Sequence, residues 1–180
     1  MRNKLRRRRE FIAFLFVSLW GVIGHFIFDW SGENPFLGAI FAVNESTWEH
    51  MKLLYLPLFL FVMLEYISLG ESIGNFFAAR FAAALLGLAT IPMIFYTLNS
   101  AFGKTPDWLN IALFFFAAAL SSYAAYFLLT SFCLRSRFLQ LPAFLLFWLL
   151  LALFIYFTYR PPMLPLFQDP VSGLYGIPRP

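Results

Sequence analysis

Residues 11–30, FIAFLFVSLWGVIGHFIFDW, follow directly on Arg6-Arg7-Arg8-Arg9-Glu10, and their reading decides the fold. Twenty residues rising about 1.5 Å each reach about 30 Å, the thickness of a bilayer's hydrocarbon core. A secretory signal peptide has a shorter apolar run, roughly 7–15 residues, with a small-residue cleavage site after it. This run is longer, carries His25 and Asp29 near its end, and has no such site behind it. It reads as an uncleaved first span.

Four more apolar runs of spanning length follow, at about residues 45–67, 76–98, 108–131 and 138–159. Composition points the same way: 61% of the residues are hydrophobic, only 12% are charged, and the mean hydropathy is +0.75. Soluble domains carry roughly 25% charged residues. The expected fold is all-α, an integral membrane bundle of five transmembrane helices over residues 11–159. A basic cytoplasmic tail, 1–10, precedes it, and a Pro-rich, non-helical tail, 160–180, follows. No soluble domain fits in what remains.

Six of the thirteen basic residues lie in the first ten positions. Lys/Arg clusters beside a first span are held on the cytoplasmic side, which accounts for the run without nucleic acid. Anionic lipid headgroups are its expected partner, besides the bilayer itself. With the N-terminus inside the cell membrane, five crossings place Arg80, Arg135 and Arg137 inside as well, and the C-terminus outside. The two outer loops then hold only Lys104 as a basic residue, and Trp30, Trp48 and Trp108 fall at the outer boundary as an aromatic belt.

Local signals refine the spans. Gly21 and Gly24 in the first, and Ala117, Ala118, Ala119, Ser121 and Ser122 in the fourth, offer close helix approach, the latter also as a face for a homo-oligomer. Residues 36–43 are too few to cross and should lie at the surface or dip back in. Ser46-x-x-Glu49 fits a capping box, in which each side chain satisfies a free backbone N–H at the helix start. Pro57 and Pro92 fall inside spans and free the carbonyls of Leu53 and Leu88. The lone Cys133 excludes an internal disulfide. The tail from Arg160 has six prolines yet carries Met163, Leu164, Leu166, Phe167, Leu174, Tyr175 and Ile177. That much apolar surface suggests a segment packed over the outer ends of the helices as a lid.

Polar chemistry concentrates at Val43-Asn44-Glu45-Ser46-Thr47-Trp48-Glu49-His50-Met51-Lys52. His25 and Asp29, four apart, share a face of the first span. Glu45 and Glu49 are likewise four apart, with Lys52 on nearly the same face and His50 about 100° round. Tyr96, Asn99, Tyr159 and Arg160 end other spans at the same level. Asn44, Trp48, Lys52 and these four are the expected pocket residues. A charge facing lipid costs about 2.5–3.5 kcal/mol, so such a cluster needs partners, water or a metal. Imidazole with carboxylate suits zinc, iron or manganese. His25, Asp29, Glu49 and His50 are the candidate ligands, and Glu45 or Glu49 the candidate catalytic base. The competing readings are a metal-free polar cluster and purely structural capping and pairing. Glu65 and Glu71, at the other side near Arg80, read as a weak cytoplasmic ion-pair set.

The run from Val43 to Leu54, with Gly24-His25 and Asp29-Trp30 before it and Tyr159-Arg160-Pro161-Pro162, Asp169-Pro170 and Tyr175-Gly176 after it, resembles a family of small multi-spanning bacterial and archaeal membrane proteins classed only as a domain of unknown function. Ala42 stands where the resemblance leads one to expect proline. The resemblance implies a multi-span fold and a shared Asn-Glu-Ser-x-Trp-Glu-His-x-Lys motif, with no activity, ligand or cofactor. The function expected from the residues is metal-assisted hydrolysis of a membrane-proximal or lipid-linked substrate. The alternatives are a small transporter or cation- or proton-binding protein, and a structural or interaction subunit. The orientation has a direct test: a cysteine at Gly173 should react with an impermeant thiol reagent outside intact cells. Labelling only after lysis would overturn it.

Overall fold

The computed structural model describes residues 2–69 and 74–177. The described residues form α1 (Arg2–Trp30), the short α2 (Pro35–Gly38), α3 (Thr47–Leu69), α4 (Phe76–Phe102), α5 (Asp107–Thr130) and α6 (Arg137–Tyr159), then a 3-10 turn at Pro165–Phe167. Five of these helices are long and apolar enough to cross a membrane. The basic tail is not a separate segment, because α1 runs unbroken from Arg2 into the first span. The third span continues to Phe102, four residues past its expected end, where Gly103 stops it at φ 80°. Pro57 and Pro92 lie inside α3 and α4.

Large apolar side chains cover the outside: Leu19, Phe127, Leu141 and Leu149 are all more than half exposed. Soluble proteins rarely display such continuous apolar surface, whereas lipid tails solvate it. The interior is aromatic. Tyr55, Phe147 and Phe154 have no exposure, and the Tyr55 ring stands 5.1 Å from Phe154 and 6.2 Å from Phe147. The Tyr55 hydroxyl donates to the Phe147 carbonyl at 2.5 Å, joining α3 to α6.

The small residues of α5 are used within the chain. Ala117, Ala118, Ser121 and Ser122 are buried, and a Cβ on Gly87 of α4 would come 2.8 Å from that of Ser121 and 3.1 Å from the Ala117 carbonyl oxygen. The face expected to pair copies of the chain is therefore filled by α4. Gly21 and Gly24 serve differently, since aromatic rings and a leucine take the space: Phe114 covers Gly21, while Phe41 and Leu53 cover Gly24.

At the end where α1 begins, Arg80 lies between two carboxylates from other helices. Its guanidinium donates to Glu10 at 2.6 and 2.7 Å and also to Glu65. All three side chains are buried. This replaces the weak surface set expected from sequence, and its second acid is Glu10; Glu71 lies outside the described residues. Near the same end, Arg6 donates to the Leu129 carbonyl, Asn75 donates to the carbonyls of Leu128 and Cys133, and Gln140 accepts from the Ala78 amide.

The C-terminal segment is folded onto the opposite end. Phe167 is buried, 4.7 Å from the Trp48 ring and 5.3 Å from Phe157. Gln168 and Tyr175 form an isolated antiparallel bridge, closed by an Asp169 turn whose carboxylate accepts from the amides of Val171 and Ser172. Gly173 takes φ 74°, so a topology reporter is better carried by the exposed Val171, with Cys133 changed to serine. Arg80→Met should destabilise the fold by roughly 3–5 kcal/mol, because it strands two buried carboxylates. Thermal unfolding in detergent checks this. The triple variant Glu10→Leu/Glu65→Leu/Arg80→Met should recover most of the loss, and a wild-type melting temperature for Arg80→Met alone would overturn the assignment.

Candidate functional site

The start of α3 shapes the site. Ser46 caps it, its hydroxyl accepting from the Glu49 amide at 3.3 Å. The reciprocal half of the expected capping box is absent. The Ser46 amide donates to Asn44 Oδ1 at 2.9 Å, and Glu49 reaches further back, accepting from the Val43 amide at 3.2 Å. The cause is Lys52, whose ammonium lies 2.5 Å from Glu49.

Lys52 has no exposure and Glu49 only 2%. An ammonium has three N–H donors. Those of Lys52 go to Glu49, to the Gly38 carbonyl at 2.8 Å and to Thr158 Oγ1 at 2.8 Å. The Thr158 hydroxyl in turn lies 3.0 Å from Glu49 Oε1 and from the Phe154 carbonyl oxygen. This network ties α2, the loop at Val43, α3 and α6 together. All three Lys52 donors are engaged, and Glu49, buried in this network, is not among the residues that converge on the histidines.

A second cluster lies nearer the surface. Glu45, in the loop before α3, places one carboxylate oxygen 3.4 Å from His25 Nε2 and the other 3.6 Å from His50 Nε2. The two imidazole rings stand 5.6 Å apart. One ligand atom from each of the three residues falls within 4.8 Å of the others. Ligands held about 2.1 Å from a tetrahedral zinc lie about 3.4 Å from each other, so side chains within 4.8 Å would have to close in slightly to share one ion. The histidine side chains are 31% and 27% exposed and Glu45 46%, which leaves the cluster reachable.

The orientation of His50 is determined by its own helix. Its Nδ1 lies 3.0 Å from the Ser46 carbonyl oxygen. A carbonyl can only accept, so Nδ1 carries the proton and, in the neutral ring, Nε2 keeps its lone pair for the site. His25 Nδ1 is buried with no hydrogen-bond partner. A pocket of about 40 Å³ adjoins the cluster, lined by His25, Asp29, Ala42, Val43, Asn44 and Glu45. Asp29 is exposed on its wall.

The other expected pocket residues have separate duties. Trp48 is buried, 4.4 Å from the Phe154 ring, with its indole N–H unpartnered. Asn44 donates to the Gly176 carbonyl at 2.9 Å, pinning the C-terminal segment to the loop that holds Glu45. Tyr159 donates to the Pro35 carbonyl at 2.7 Å. The Tyr96 hydroxyl stands 3.5 Å from that of Thr47. Asn99 organises the turn after α4, accepting from the Thr105 amide at 3.0 Å, and Arg160 is exposed. Sequence reasoning missed Thr158 altogether, because a threonine in an apolar span carries no signal until its neighbours are known.

The fold and this arrangement define a multi-pass helical membrane protein. The chain belongs to a family of unknown function, DUF6512, which it matches over residues 2–177. Comparisons with curated proteins and with solved structures find no match.

Gly176 joins the C-terminal segment to the bundle at φ 67°, and a Cβ there would lie 2.9 Å from the Thr158 carbonyl oxygen. Gly176→Ala combines that clash with a left-handed backbone costing about 1–2 kcal/mol. It should lower the melting temperature and expose residues 161–175 to protease in detergent. Undiminished protease resistance would show that the segment is held elsewhere.

Proposed function

We propose that the protein is a metal-dependent hydrolase of the membrane boundary, in which His25, Glu45 and His50 hold a divalent zinc, iron or manganese ion. The observation that carries this reading is the convergence of three ligand-type atoms, from α1, a loop and α3, within 4.8 Å beside an accessible pocket. Two imidazoles and one carboxylate with an open position is a ligand set used by catalytic zinc sites. A divalent ion there would supply Lewis-acid activation of water near neutral pH. Asp29, which lines the adjoining pocket, would be the residue to accept the proton released as water adds to the substrate. Glu49 and Lys52 hold the loop that presents Glu45.

A membrane-proximal or lipid-linked substrate is part of this reading, and position supports it. The pocket opens beside α1 where Trp30 is 73% exposed and Phe26 45%, their rings stacked 5.6 Å apart. Aromatic rings of this kind mark the level of the lipid headgroups. The setting assigned is the cell membrane of a bacterium or archaeon, with the N-terminus inside. It is supported by the arginines gathered at the end where α1 begins. On this reading the Asn44-to-Lys52 run is the family's working motif, one half presenting ligands and the other locking their loop.

Purified, metal-replete protein should carry about one zinc, iron or manganese ion per chain by mass-spectrometric metal analysis, the occupancy of a single three-ligand site. His25→Ala, His50→Ala and Glu45→Ala should each lose it, and reconstitution with a total membrane lipid extract should release a cleaved polar headgroup only with the loaded protein. A metal-free wild type would sink the ligand assignment. A loaded protein that releases nothing would sink the hydrolase.

A further inference from the structure

The positive charges at the start of α1 present a surface that the proposed centre does not use. A helix of 29 residues is about 43 Å long, about 13 Å more than a bilayer's hydrocarbon core. Its first turns therefore stand beyond the apolar layer as a rigid extension of the span. Within them the basic side chains divide. Arg6 turns inward and donates to the Leu129 carbonyl at the end of α5, and Glu10 turns inward to Arg80. Lys4, Arg7 and Arg8 stay exposed.

These three share one face with Phe11. Positions 4, 7, 8 and 11 follow the i, i+3, i+4, i+7 spacing of one helix side, and with Leu5 they border a shallow, open surface groove formed by this helix alone. Among the described residues, every charged group bordering this groove is cationic. Below it the same side continues as Phe11, Leu15 and Leu19, 60%, 48% and 65% exposed. An occupant that satisfies both halves must be anionic at one end, apolar along its length, and located at the membrane boundary. Nucleic acid or an acidic peptide would meet the charges and leave the apolar stripe unused.

We propose that this face is a binding site for an anionic phospholipid, its phosphate held by Lys4, Arg7 and Arg8 and one acyl chain lying along Phe11, Leu15 and Leu19. A zwitterionic headgroup would bring its own cation into a groove where the described residues offer no acid to receive it. Sequence alone predicted anionic lipid near the tail as a diffuse attraction. Among the described side chains the structure points to Lys4, Arg7 and Arg8 and adds the apolar partner.

Full-length protein reconstituted in vesicles of equimolar phosphatidylcholine and phosphatidylglycerol, then extracted in mild detergent, provides the test by native mass spectrometry of retained lipid. Phosphatidylglycerol should be enriched. Each of Lys4→Gln, Arg7→Gln and Arg8→Gln should cut the enrichment about fivefold, the equivalent of about 1 kcal/mol per basic residue at the membrane surface. Phe11→Ala should lower the total lipid retained while keeping the preference, and Arg9→Gln, outside the groove, should leave both unchanged. Equal retention of the two lipids would overturn the proposal. So would an equal loss in Arg9→Gln and the groove variants, which would mean diffuse charge. Heparin binding without lipid preference would transfer the surface to a polyanionic macromolecule.

Discussion

The ammonium of Lys52, sealed from solvent with all three of its hydrogens engaged, is the constraint on which the end of the molecule that carries the C-terminal segment depends. A lone charge in that position would be prohibitive, and an ion pair with unfilled hydrogen-bonding capacity would still cost more than it returns. Glu49, Thr158 and the Gly38 carbonyl remove that penalty together, and each comes from a different part of the chain or a different turn. The network therefore forms only when α2, α3 and α6 are all in place. Its contribution is specificity of arrangement: one register of the loop at residues 39–46, and with it one position for Glu45.

The opposite end is governed by the same logic, again with a buried cation at the centre but with two carboxylates around it. There Arg80 is the central cation and Glu10 and Glu65 converge on it from α1 and α3. Between the two ends the packing is aromatic and apolar, which gives helices in lipid shape complementarity but few directional constraints. Two buried ionic knots, one near each boundary, supply the direction. The half-exposed cluster of His25, Glu45 and His50 adjoins the Lys52 knot, which holds the loop that carries Glu45.

Much of the candidate site was legible as a list of residues and little of it as a set of partners. The i, i+4 spacing of Glu45 and Glu49 suggested a shared face. That inference fails because Glu45 precedes the helix, in a bend where helical spacing does not apply. His50, about 100° from Glu49, belongs to the surface cluster, while Glu49 points into the bundle. The same rotation that made His50 look doubtful as a neighbour of Glu49 makes it a neighbour of His25. Glu10 could have been found from sequence as the one acid among the first ten residues, lying just where the apolar run begins.

Hydrophobicity and length alone determined that five helices cross a membrane, because backbone polar groups in lipid can be satisfied only within a helix. The N-terminal arginines, the prolines within spans and the concentration of polar residues between Asn44 and Lys52 were equally plain, being local in the chain. Which polar side chain meets which was decided only by tertiary structure. The partners of Lys52 and Arg80 lie up to 106 and 70 residues away, and helices that are apolar on every side carry no periodic signal of the face they turn inward.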